Sequence, residues 1–150
     1  MRLWKNITKT QKIIQEVGEF DMKIVINKSH SMFIISHKAV LRYAELIGEK
    51  IYFEKDECGD YIYAKVPMHI VKELKSITPA PLGVIDALEF KPWFIARNDP
   101  ALVQVVEELG DAASDAFSIL KIVDIPDDVN WTIKEYDGKE WIAEVHRTWS

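Results

Sequence analysis

Cysteine is nearly missing from this 150-residue chain, where Cys58 stands alone. One thiol forms no internal disulfide, and beside four scattered histidines it supplies no thiolate cluster for structural zinc. Glycine and proline are sparse, six of each, and hydrophobic residues reach 48% against 29% charged. That balance is too apolar and too little punctuated for a disordered polypeptide. Long apolar runs are missing as well: nothing approaches the roughly 18 residues a membrane span requires, and Met1 to Asn6 lack the apolar stretch of a secretory signal. No membrane association is expected, and a reducing cytoplasm is the expected location. Basic excess is also missing. A net charge of −5 repels a phosphate backbone on average, so nucleic-acid binding is not expected. No cofactor or metal ion is called for.

Aromatic residues, in contrast, are plentiful: five Trp, five Tyr and six Phe. Most are expected in the core, and any left at the surface favour protein interfaces or flat ligands. A domain of this length buries about 70% of the surface its unfolded chain exposes, so one core suffices.

Ile13, Ile14 and Val17 recur at helical spacing between Thr8 or Thr10 and Gly18, which predicts a short amphipathic helix. Residues 1–21 read as a helical extension appended to a single domain over 22–150. Lys23-Ile24-Val25-Ile26-Asn27 reads as a buried strand. Ser36 caps a helix with Val40, Leu41, Ala44 and Ile47 on one face and Gly48 as its stop. Residues 50–54 and 61–66 form a hairpin around Asp56-Glu57-Cys58-Gly59-Asp60, and Pro67 opens a third helix. Two prolines in 78–83 predict a mobile loop, and Trp93-Phe94-Ile95 a short strand. Asp99 and Pro100 begin a helix through Leu109, and 119–123 is a strand ended by Pro126. Asp137-Gly138 is the strongest hairpin signal, joining 131–136 to 140–146. The fold class is therefore α+β: a mixed β-sheet covered by helices, with a C-terminal β-hairpin.

The loop Asn27-Lys28-Ser29-His30-Ser31 lies between a strand end and a helix N-terminus, where free N–H groups favour an anion. It has no glycine for close approach to a phosphate and matches neither a Walker loop nor a dinucleotide fingerprint, so ordinary loop chemistry is the alternative. Arg97, just before a helix start, either holds a phosphate or carboxylate bidentately or pairs with Asp99 or a neighbouring acid. His146-Arg147-Thr148-Trp149 combines a titratable ring, a cation, a hydroxyl and an indole, suited to a base and phosphate or to a docked tail or subunit interface. His37 and His69 fall in first turns of helices and read as surface residues. Cys58, among carboxylates, is a poor nucleophile, and Asp124, Asp127 and Asp128 read as a solvated turn.

From Met22 onward the chain resembles a family of small, mostly uncharacterised proteins encoded by bacteriophages and prophages. The resemblance rests on Met22-Lys23-Ile24-Val25-Ile26-Asn27-Lys28, on the stretch from Asn98-Asp99-Pro100 through Glu107-Glu108-Leu109-Gly110, on Ile125-Pro126-Asp127-Asp128-Val129, and on Glu135-Tyr136-Asp137-Gly138 through Trp141 to His146-Arg147-Thr148-Trp149. The family's loop after the first strand is glycine-rich, in a pattern like Gly-Gly-Phe-Gly-Leu-Ser. Here Ser31-Met32-Phe33-Ile34-Ile35-Ser36 stands at the same length, without the three glycines that bring backbone close to a ligand. Phages devote small proteins to neutralising host immunity, and the resemblance implies a non-catalytic, oligomeric anti-defence sponge in the host cytoplasm. Such a sponge sequesters a nucleotide-derived signal of the cyclic nucleotide or cyclic ADP-ribose type. On that reading Asn27, Lys28, His30, Ser36, Arg97, Arg147, Thr148 and Trp149 hold the ligand. The alternatives are an acidic, aromatic inhibitor of a host enzyme, or an enzyme using His30 or His146 as base.

Overall fold

Ile24, Val25 and Ile26 are all buried, so this strand is apolar on both sides instead of alternating. It is the middle of β1 (Asp21–Asn27), which pairs antiparallel with β5 (Leu120–Pro126) in register from Asp21↔Pro126 to Asn27↔Leu120. The computed structural model describes residues 21–146 together with Lys9 and Trp149. The helix expected over 8–17 lies outside the described residues save Lys9, and Arg147 and Thr148 lie outside them too.

Two helices carry their capping chemistry in the sequence. Helix α1 (His37–Ile47) starts at Ser36, whose hydroxyl accepts from Ala39 N at 3.1 Å, and stops at Gly48 in the left-handed conformation. Helices α2 (Met68–Ser76) and α3 (Leu82–Leu88) follow. In α4 (Pro100–Leu109), Asp99 accepts from Ala101 N while its second oxygen accepts from Tyr43 Oη at 2.7 Å, tying α1 to α4. Burial, and then this carboxylate, push the Tyr43 phenol up from its ordinary value.

Strands β2 (Tyr52–Lys55), β3 (Tyr61–Ala64) and β4 (Glu89–Phe90) make a second sheet, and β6 (Trp131–Tyr136) with β7 (Lys139–Glu144) the C-terminal hairpin. The α+β class and that hairpin are as the sequence reads. The strand pairs are all antiparallel and fall into three small sheets among the described residues. The main core joins Val25, Phe33, Val40, Tyr43, Leu102 and Val106. A smaller one around Ala64, Val71 and Ile85 sits under α2 and α3. No helix among the described residues is long and apolar enough to cross a membrane.

Two local expectations are corrected. The region expected as a loop over 78–83 gives way at Leu82 to α3, because Pro81 precedes the first turn, where its missing N–H costs nothing. Trp93 and Phe94 lie in a 3-10 turn (Pro92–Phe94) and not in a strand. Pro92 has no N–H for a ladder, and both aromatics face outward.

Candidate functional site

Asn27 ends β1 fully buried, and its amide is spent inside the fold. Its Nδ2 donates to the carbonyls of Ser29, Ser31 and Gly138, and its Oδ1 accepts from Ser29 N, Ser29 Oγ and Ile119 N. One side chain therefore shapes the 28–31 loop and fixes it to the turn of the C-terminal hairpin. Gly138 completes the joint: a Cβ there would lie 2.1 Å from Ser31 O, so only glycine admits this approach.

Arg97 is likewise occupied. Its guanidinium donates bidentately to Glu140, at 2.8 and 2.9 Å, and to Val25 O at 3.2 Å, and lies 3.3 Å from the centroid of the Phe33 ring. Glu140 also accepts from Asn27 N at 2.7 Å, and both members of the ion pair are largely buried. Ser36 donates its hydroxyl to Ala112 O at 2.6 Å while capping α1. Asn27 and Ser36, expected as ligand groups, thus have their side-chain polar atoms bonded within the protein, and Arg97, expected as another, is committed mainly to Glu140 and Val25 O. Lys28 is half-buried, its backbone N–H bound to Ile119 O. His30 is exposed, with Nδ1 3.9 Å from Asp137 Oδ2, and Trp149 is exposed. Arg147 and Thr148 lie outside the described residues.

What remains open is an aromatic face that the sequence did not single out. A groove of about 500 Å³ runs between the segment Met32 to His37, the β2–β3 hairpin and the Pro92-Trp93 turn. Its walls carry Phe33, Tyr61, Ile62 and Tyr63. A shallower depression of about 590 Å³ adjoins it, sharing Met32, Phe33 and Trp93 and reaching His30, Glu135 and Asp137. A third, of about 140 Å³, shares Tyr61, Ile62, Tyr63 and Trp93. Trp93 borders all three and is 58% exposed. Met32, at 73%, projects beside it.

Inside the first groove His37 stacks on Tyr61 with ring centroids 3.8 Å apart and planes at 4°. Its Nδ1 shares a 2.9 Å hydrogen bond with Tyr63 Oη, and Phe53 meets it edge-on. Desolvation, and then the Lys55 charge, lower the His37 pKa below its ordinary value. Burial pushes the Tyr63 phenol up to about 12. His37 is therefore part of the groove wall and not the solvated surface residue that the sequence indicates.

The rim is acidic. Asp56, Asp60 and Asp115 line the first groove and Glu135 and Asp137 the second, where the one arginine, Arg97, is held by Glu140. Asp56 and Asp115 also accept backbone N–H groups that set their own turns. Among the described residues no group of three His, Cys, Asp or Glu side chains is placed to hold a metal.

The aromatic content and the apolar run Met32-Phe33-Ile34-Ile35, placed between a strand and a helix cap, are the signals that would have found this face. A buried linker needs no outward Met32, and a solvated one would not carry four apolar residues in a row. No family model, no curated protein and no solved structure matches this chain.

Proposed function

We propose that this chain is a non-catalytic binding protein that engages a protein partner through the Trp93-centred face, taking a basic segment with apolar side chains. The observation that carries this reading is Trp93 itself, exposed between three adjoining depressions, the two larger of which are rimmed by carboxylates. Tryptophan is enriched among the anchors of interfaces, and truncating such an anchor costs about 2 kcal/mol or more of binding. The acidic rim complements lysine and arginine and excludes like charge. A host enzyme with a basic, apolar docking segment is the kind of target this surface fits.

Calorimetric titration with a peptide of alternating leucine and lysine tests it. The expected result is saturable binding that Trp93→Ala weakens by about thirtyfold, with no binding of the same peptide carrying Glu for Lys. Equal binding of both peptides, or no effect of Trp93→Ala, would refute the proposal.

A second reading is favoured by the parallel His37–Tyr61 stack, a platform for a planar base, in a groove of a size that suits a small ligand. On that reading the chain is a phage anti-defence sponge for a cyclic nucleotide or cyclic ADP-ribose signal. Phosphates would then meet carboxylates at the rim, which is why it stands second. A rise in melting temperature with one member of a cyclic dinucleotide and ADP-ribose panel, and intact ligand released on heating, would put it first.

A further inference from the structure

The ladder of the C-terminal hairpin sorts its side chains onto two faces. Opposed residues share a face, so Ile133↔Ile142 and Glu135↔Glu140 lie on one side and Lys134↔Trp141 and Tyr136↔Lys139 on the other. Glu140 is buried against Arg97, which makes the first side the inner one. The outer side therefore presents two aromatics and two lysines on a regular ladder. Tyr136 is 74% exposed and Trp141 43%, and neither Lys134 nor Lys139 forms an ion pair among the described residues.

This is the chemistry that the Trp93 groove is built to receive, because cations and flat apolar rings on one surface match carboxylates and aromatic walls on the other. The hairpin's own inner residues, Glu135 and Glu140, help to line the depression beside that groove, so its outer face is turned away from the groove of the same chain. We infer that the outer face of β6–β7 docks into the Trp93 groove of a second copy, making a head-to-tail assembly. The inference rests on the groove being a protein-binding surface and names one occupant for it. Donor and acceptor are different surfaces, so the contact is heterologous: copies add in one direction until a ring closes or a chain extends. The assembly also masks the groove, so a competing partner releases monomers.

Sedimentation of the full-length protein over a concentration series tests this. The wild type is expected to self-associate below about 1 mM, and less at high salt, where exposed charge pairs are screened. Lys134→Glu with Lys139→Glu destroys the donor face and spares the groove. Asp60→Lys with Trp93→Ala does the reverse. All four positions are exposed, and circular dichroism confirms that each variant is folded. Each variant alone is expected to lose association by about tenfold or more, and their mixture to form one-to-one complexes that grow no further, since each pair holds one intact donor and one intact groove. A wild type that stays monomeric, variants that still associate, or a mixture that fails to pair would overturn the inference. Binding of the leucine–lysine peptide by a monomeric wild type would leave the protein-binding reading standing and remove only the self-docking. Loss of both would remove both.

Discussion

Arg97 and Glu140 meet beneath the turn end of the C-terminal hairpin, and removing either leaves the other charged in a largely buried place. Arg97→Met is expected to destabilise the fold by about 3 kcal/mol, read as a lower midpoint in urea with an unchanged slope. The cation was legible in the sequence, just ahead of a helix cap, but its partner stands 43 residues further along and is brought to it only by tertiary packing. The same holds for Asn27, whose side chain bonds to carbonyls and N–H groups as distant as Ile119 and Gly138. A residue read by its neighbours in sequence looks like a ligand group, and a residue read by its neighbours in space is a joint. His37 shows the converse: spacing places it on a helix, while only the β2–β3 hairpin folding over it supplies Tyr61 and Tyr63.

Among the elements, those with a local signal at both ends were legible. Ser36 and Gly48 bracket α1, Asp99 and Pro100 open α4, and Asp137-Gly138 makes the terminal turn, with positive φ at both residues. The turn at Pro92–Phe94 was not, since its aromatic residues carry strand propensity while a proline governs the backbone. A two-stranded hairpin is marginal by itself, so β6–β7 depends on its docking to the 28–31 loop. Gly138→Ala places a methyl against Ser31 at a backbone angle that disfavours it. The hairpin is expected to loosen, with faster hydrogen exchange at 131–144 while β1, α1 and α4 keep their protection. Uniformly faster exchange throughout would show the joint to be global, and no change would show that the loop gives way.

At the scale of the whole molecule, pH acts through the groove. His37 faces Phe53, Tyr61 and Tyr63, and Lys55 lies near enough to disfavour a second cation. Its pKa is lowered on folding, so the unfolded chain takes up the proton first as pH falls below about 6.5. The stability present above that pH then declines until the folded state protonates as well. Urea melts at pH 7 and pH 5 are expected to show this loss, reduced in His37→Gln, and an identical loss in that variant would assign it to other groups. The pairing of β1 with β5 has a consequence in time. At translation rates of roughly 5–20 residues per second, a ribosome finishes Ile24, Val25 and Ile26 several seconds before their partners, about a hundred residues downstream, leave the tunnel. During synthesis a stretch of strand that is buried in the finished protein thus waits unpaired for about a hundred residues, and a nascent-chain chaperone is expected to find its foothold there.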